Sequence, residues 1–116
     1  MVDDLDLKYL ENFIGTQKYY HGYLGVNLTD GVAYISNNGY SWLVTDAISV
    51  IKTKLVSEEF LCIKLEILGD SKARMIVTDG NDKTLYEQNY DYTDAKRNLK
   101  LFYDKNSNVL MLSGEY

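Results

Sequence analysis

The spacing of apolar residues changes near residue 57, and this change limits the folds open to the chain. Before it, apolar residues recur every three or four positions, as they do along one face of a helix. After it, they alternate with polar residues in short runs, as in half-buried strands. The clearest run is "FLCIKLEIL", in which the alternating apolar set is Leu61, Ile63, Leu65 and Ile67. The chain is therefore predicted to form helices first and a sheet second, an α+β architecture.

Three helices are predicted before the change. The first covers residues 4–14, which place Leu7, Leu10, Phe13 and Ile14 on one face. The second follows Thr29, a residue type that caps helix N-termini, and ends at "NNG", residues 37–39. Residues 16–28, between these two helices, have no clean period and are predicted to form an ordered loop with at most a short helical turn.

The third helix starts at Ser41, and its apolar face is the most regular of the three. Trp42 lies on its first turn and is predicted to pack against the "YYHGYL" loop, residues 19–24. The face follows the i, i+3, i+4, i+7 spacing of an amphipathic helix. Its members are Val44, Ala47, Ile48, Ile51 and Leu55.

Five short strands are predicted after residue 57, separated by the turn-forming stretches "GDSK", "DGNDK", "TDAKRN" and "KNSN". Strands joined by short turns pair with their neighbours in sequence, which gives an antiparallel meander. The fold expected from the sequence is thus α+β, with about three N-terminal helices on one face of a five-stranded antiparallel meander sheet. Residues 1–116 are expected to form a single domain.

Charge and cysteine content narrow the classes of partner and compartment. The net charge is −5 and the pI about 4.7, and the basic residues are scattered, so direct binding to nucleic acid is not expected. An acidic chain suits a basic protein partner, because complementary charge raises association rates. With no run of about 18 apolar residues, no signal-peptide pattern and one cysteine, the chain is expected in the cytoplasm, away from membranes.

The stretch "KYYHGYLG", residues 18–25, is the densest aromatic segment and holds the one histidine. Tyrosine supplies a large amphipathic contact area at low entropic cost, as binding surfaces often do. A compositional bias of the genome would also raise the count of 11 tyrosines. The residues assigned to partner binding are Tyr19, Tyr20, His21, Tyr23 and Asp30.

Catalysis by a nucleophile would have to use His21, oriented by Asp30 or Asp46, with Cys62 or a serine as nucleophile. The sequence has no "GxSxG" elbow, and Cys62 lies within a strand, where a buried thiol is the usual case. One His and one Cys cannot complete a typical zinc site, and no nucleotide-binding motif is present. No catalytic residue, metal or cofactor is therefore predicted. The alternative is a small hydrolase or ligand-binding domain that uses His21 with Asp30 or Asp46.

The run "YYHGYLGVNLTDGVAYISNNGYSWLVTDAI" resembles a small bacterial and phage-borne family of unknown function. Members pair two tyrosines before a histidine, open a helix with "TDG", and place an aromatic-Trp-Leu triplet before an aspartate on a helix. The terminal "VLMLSGEY" is also similar, with Ser113-Gly114 where Pro-Ser is usual. The resemblance spans about Phe13 to Tyr116 and implies no activity. Its signature positions are Tyr19, Tyr20, His21, Thr29, Asp30, Gly31, Trp42, Leu43 and Asp46.

These observations favour a non-enzymatic, acidic protein-interaction module. Small acidic proteins without a catalytic set are similar to phage-encoded inhibitors of bacterial defence, including anti-CRISPR proteins. By that analogy the expected partner is basic, such as a CRISPR effector or another host nuclease. A structural helper protein with no inhibitory role is a third reading.

Overall fold

The computed structural model describes residues 19–81 and 83–115. One helical segment of 24 residues runs through α1 (Asp30–Ile35), a π-helical turn (Ser36–Tyr40) and α2 (Ser41–Thr53). Single 3-10 turns lie at Tyr23–Gly25 and Ser113–Glu115. The seven strands are β1 (Tyr20–His21), β2 (Asn27–Leu28), β3 (Phe60–Gly69), β4 (Lys72–Thr78), β5 (Thr84–Tyr90), β6 (Leu99–Asp104) and β7 (Val109–Leu112).

The strands form one mixed sheet in the order β1-β2-β7-β6-β3-β4-β5. The five strands predicted after residue 57 are all present, but the five-stranded antiparallel meander is wrong. Strand β6 pairs with β3 instead of β5. Two further strands, β1 and β2, come from the predicted loop, and β2 pairs with β7 in parallel.

The link between β5 and β6 explains the failure of the meander. The stretch "TDAKRN", residues 93–98, is predicted to link two neighbouring strands, whereas the segment between β5 and β6 crosses the end of the β3–β4 hairpin. Thr93 N donates to Ser71 O (2.7 Å), and Ile67 N donates to Asn98 Oδ1 (2.8 Å), which fixes the crossing. In the sheet, β5 and β6 are three strand spacings apart, about 15 Å. The link of residues 91–98, fully extended, reaches up to about 26 Å, so it is long enough to make this crossing.

The prediction of three helices is also wrong. The helix predicted at residues 4–14 lies outside the described residues, and the other two run together as the 24-residue segment. At "NNG" the backbone leaves helical geometry, with φ −127° at Asn38 and φ 100° at Gly39. Asn38 Nδ2 donates to Tyr34 O (2.7 Å) and Trp42 Nε1 donates to Gly39 O (2.9 Å), so side chains satisfy carbonyls freed by the kink. The motif therefore bends the segment without ending it.

The hydrophobic core lies between the helical segment and one face of the sheet. On β3, Leu61, Ile63 and Leu65 are buried, as the alternation predicts. Within the described residues, no helix is long and apolar enough to cross a membrane. The helical segment contributes Val32, Ile35, Leu43, Ala47, Ile48 and Ile51 to the core.

Candidate functional site

An exposed aromatic cluster lies on β1 and the turn that follows it. We call it the tyrosine edge; its members are Tyr19, Tyr20, His21, Tyr23 and Leu24. The exposed fractions of the four large apolar residues are 58% (Tyr19), 39% (Tyr20), 51% (Tyr23) and 50% (Leu24). β1 is the end strand of the described sheet. Contiguous exposed apolar side chains of this kind mark interaction sites more often than a single exposed residue does.

The hairpin of β1 and β2 holds the tyrosine edge against the core. Tyr20 pairs with Leu28 and His21 with Asn27 in antiparallel register. Val26 is fully buried and Leu28 nearly so. Burial of these two side chains stabilises the hairpin, while the aromatic rings on its other positions stay exposed.

Glycine permits the tight turn between the two strands. A Cβ on Gly22 would lie 2.9 Å from Val26 O and from Leu28 Cγ, a distance too short for a side chain. Gly22 N donates to Val26 O (2.7 Å) across this close approach. Leu24 (φ 52°) and Gly25 (φ 80°) then adopt left-handed conformations, which turn the chain back toward β2.

Asn108, in the β6–β7 turn, ties the tyrosine edge to the rest of the molecule. Its Nδ2 donates to Gly25 O (3.0 Å). Its Oδ1 accepts from Tyr103 Oη (2.7 Å) and Lys52 Nζ (3.1 Å). One side chain thus joins the turn that follows β1 to β6 and to α2.

A groove of about 300 Å³ separates the tyrosine edge from the helical segment. This volume is at the low end for a small-molecule site. His21 lies on its wall, and no carboxylate contributes to the part of the lining that is described. The remaining lining residues are Tyr20, Gly22, Tyr23, Leu28, Ala33, Ser36, Asn37, Val44 and Thr45.

The two aspartates considered as partners for His21 have other places in the fold. Asp30 lies in the first turn of α1. Asp46 accepts from Tyr90 Oη (2.8 Å) and Gln88 Nε2 (3.4 Å) on β5, the strand at the opposite end of the sheet from β1. The structure therefore brings Tyr19, Tyr20, His21 and Tyr23 together, but it does not bring Asp46 to His21.

Burial and the contact with Asp46 both favour the protonated form of the Tyr90 hydroxyl. Burial first, and then the hydrogen bond and negative charge of Asp46, raise the pKa of the Tyr90 hydroxyl well above its ordinary value of 10.0. The hydroxyl remains a donor at neutral pH. This donor fixes α2 against β5, so Asp46 has a structural role in the described fold.

Trp42 belongs to the same contact between α2 and β5. Its ring meets Tyr90 edge-on, with centroids 4.8 Å apart, and lies 6.0 Å from the ring of Tyr40. The prediction that Trp42 packs against the "YYHGYL" loop, residues 19–24, is wrong, because the indole contacts Tyr90 on β5, at the other end of the sheet from β1. Cys62 is buried within β3, as the sequence predicted.

The "TDG" motif forms a capped helix start that also contacts Glu115, in the 3-10 turn after β7. Thr29 Oγ1 accepts from Val32 N (3.3 Å) and donates to Glu115 Oε1 (2.7 Å). Glu115 Oε2 accepts from Gly31 N (3.1 Å), and Oε1 also accepts from Leu112 N (2.9 Å). A carboxylate at this position satisfies backbone donors and complements the positive end of the helix dipole.

Gly31 is required for that contact. A Cβ at this position would lie 2.6 Å from both Glu115 Oε1 and Leu112 Cδ1. Thr29 and Gly31, two of the signature positions, therefore have a structural role at the start of the helical segment. Sequence reasoning missed Glu115, Asn108 and Tyr90, because each acts on residues distant along the chain.

Metal binding has no support in the described residues: they contain no group of three or more His, Cys, Asp or Glu side chains placed to hold an ion. The described lining of the groove beside His21 includes two tyrosine rings and small polar side chains. The tyrosine edge can offer a binding partner apolar contact area and hydrogen bonds from its tyrosine hydroxyls.

These features define a small α/β protein in which one helical segment covers one face of a mixed seven-stranded sheet and an aromatic hairpin lies exposed at its end. The chain belongs to DUF6876, a family of unknown function, whose model matches residues 5–116. No curated protein and no solved structure matches the chain. The resemblance to a family of unknown function is thus confirmed, whereas a phage or anti-CRISPR origin has no support from the match.

Proposed function

We propose that this protein is a non-enzymatic protein-binding module whose contact surface is the tyrosine edge. The observation that carries the proposal is the exposure of Tyr19, Tyr20 and Tyr23 at a hairpin that is anchored in the core by Val26 and Leu28. Ordering flexible side chains weakens association, and a rigid support reduces that cost. Tyrosine rings have few rotatable bonds and bury a large area, so they are frequent among the residues that dominate interface energies.

The chemistry of the surface favours contact over reaction. His21 lies beside tyrosine rings, and the described lining of its groove has no carboxylate to orient the imidazole. A general base needs a positioned partner and a substrate site within hydrogen-bond reach. Asp30, which was assigned to the partner surface, lies at the start of α1 and outside the lining of the groove.

The net charge of −5 supports a basic protein as the partner. A finer form of the proposal names a nuclease of a host defence system, such as a CRISPR effector, as that partner, and the cytoplasm as the compartment. This finer form rests on size and charge and stays a prediction.

Affinity capture with matched variants tests the proposal. We would immobilise the wild-type protein, the Tyr20→Ser/Tyr23→Ser variant and the Tyr92→Ser variant, and identify proteins captured from the native host by mass spectrometry. Tyr92 is 72% exposed and lies after β5, at the other end of the sheet, so it controls for loss of an exposed tyrosine. A partner should be captured by wild type and Tyr92→Ser and lost by the double variant. Equal capture by all three proteins would remove the tyrosine edge from the interface.

A further inference from the structure

The mixed sheet ends in β1 on one side and in β5 on the other, and the two end strands differ in length. β1 has two residues, whereas β5 has seven. Within the described residues, no strand pairs with the outer edge of β5. Every residue of β5 is at least partly exposed. Such an edge presents a row of backbone N–H and C=O groups to any strand that reaches it.

The pairing of β5 with β4 is regular over most of its length. The register runs without a break from Tyr90 to Tyr86, and a shift follows only at Thr84. Natural sheets protect such edges with lysine, proline, bulges or very short strands. β5 contains neither lysine nor proline, and Glu87 is its one charged residue. The stretch from Tyr86 to Tyr90 therefore keeps the geometry that an added strand requires.

Carboxylates lie on both faces of β5. Glu87 is exposed and lies opposite Ile76, on the face away from the core, because the neighbours of Ile76 along β4 are fully buried. Asp46, on α2, reaches the other face, where it accepts from Tyr90 Oη (2.8 Å) and Gln88 Nε2 (3.4 Å). The side chains of an added strand alternate between the two faces, so such a strand would meet a carboxylate on each.

The two carboxylates, Asp46 and Glu87, have no cationic partner in the described part of the chain. The arginine of β4, Arg74, binds Glu66 instead, at 3.4 Å. Lys83 lies just before β5, so cationic residues of an added strand are expected opposite the later half of β5. Opposite charges directly across neighbouring strands stabilise the pair. The edge is therefore complementary to a basic strand.

A second copy of this chain suits the same edge less well. If two β5 strands paired antiparallel over their full length, Glu87 would lie directly opposite Glu87 of the second copy. Like charges at such a position destabilise a strand pair. The net charge of −5 on each copy adds to the repulsion. Charge thus favours a basic partner over self-association.

We propose that the outer edge of β5 binds an extended, lysine- or arginine-rich segment of a partner protein as an added strand. Main-chain hydrogen bonds would supply much of the affinity, and the charges on the two faces would select the partner. The partly exposed rings of Tyr86 and Tyr90 offer further contact to cationic side chains. This edge lies at the opposite end of the sheet from the tyrosine edge, so the two surfaces are separate.

Nuclear magnetic resonance titration of the full chain with the peptide acetyl-Thr-Lys-Val-Lys-Val-Lys-Thr-amide tests the proposal. The peptide should shift the backbone amide signals of β5, and a counterpart with glutamate in place of lysine should bind at least about tenfold more weakly. Backbone N-methylation of the three lysines or of the two valines should weaken binding about tenfold in one of the two analogues, because alternate amides of an added strand face the sheet. Equal binding of both analogues, or shifts that avoid β5, would overturn the proposal.

Charge-reversal variants provide the matched control. Glu87→Lys should weaken peptide binding about fivefold or more. Glu59→Lys makes the same change in net charge at an exposed position before β3 and should leave binding nearly unchanged. Equal weakening in both variants would show general attraction and contradict the site.

Two further measurements separate this edge from other interfaces. The free chain should sediment as a species that does not pair through β5. A dimer with shifted β5 amide signals would overturn the proposal in favour of a second copy. The Tyr20→Ser/Tyr23→Ser variant should bind the peptide as wild type does, so failure of this proposal and failure of the proposed function are distinguishable.

Discussion

At the scale of single residues, Glu115 connects parts of the fold that are distant along the chain. Its carboxylate accepts from Thr29, Gly31 and Leu112, and so joins the 3-10 turn after β7 to the start of the helical segment. Charged hydrogen bonds contribute more than neutral ones. Glu115→Gln should lower the free energy of unfolding by about 1.5 kcal/mol, measured by urea unfolding.

Glu59→Gln is the control for this change. Glu59 is exposed, and the hydrogen bond shown for it uses its backbone carbonyl, which accepts from Lys105 N. The control also removes one negative charge from the chain and should change stability little. Equal losses in the two variants would show that the cap contributes nothing specific.

Tyr90 is expected to make the free energy of unfolding depend on pH in the alkaline range. Its raised pKa means that the unfolded chain releases this proton first as the pH rises past the ordinary value of 10.0. The contribution of the hydroxyl to stability is therefore full below about pH 10 and is lost progressively above it. At neutral pH Tyr90→Phe should lower the free energy of unfolding by about 2 kcal/mol, since the bond is to a charged acceptor.

The difference in stability between wild type and Tyr90→Phe should narrow as the pH is raised beyond 10.0, because the substitution removes the titrating group. Thermal unfolding of both proteins across the alkaline range measures this. A difference that stays constant would mean that the hydroxyl titrates alike in the folded and unfolded chains.

At the scale of elements, the contact between α2 and β5 centres on Trp42. The indole donates to Gly39 O and meets the Tyr90 ring edge-on. Trp42→Ala should lower the free energy of unfolding by about 3 kcal/mol, the range for deleting a packed aromatic side chain. Tyr92→Ala, which removes an exposed aromatic side chain, should change it little. An unchanged melting temperature for Trp42→Ala would show that the ring contributes to a binding surface and not to the fold.

Local sequence signals predicted the elements better than their arrangement. Alternation located β3, because a half-buried strand must alternate, and the turn-forming stretches marked off β4 to β7. The placement of β6 beside β3 depends on bonds between Thr93 and Ser71 and between Asn98 and Ile67, which are far apart along the chain. For the candidate site, the aromatic density of residues 18–25 predicted the exposed cluster. The hairpin that presents it was missed, because its pairing with β7 is also long-range.

At the scale of the whole molecule, the net charge of −5 should affect association. Attraction between exposed charges is screened as the Debye length falls from about 10 Å at 0.1 M salt to about 3 Å at 1 M. Binding of the captured partner should therefore weaken across a salt series, chiefly through slower association. An affinity independent of salt would remove electrostatics as the main contribution and leave the aromatic contacts.

The most direct test of the central claim compares His21→Gln with Tyr20→Ser/Tyr23→Ser in binding to the captured partner by calorimetry. Glutamine can keep a hydrogen bond at this position, so His21→Gln should retain most of the affinity and most of the function. Loss of two contact rings should weaken binding about tenfold or more. Circular dichroism would confirm that both variants are folded. The contradictory result is a folded His21→Gln protein that binds its partner normally and has lost all function, because that result would make His21 part of an active site.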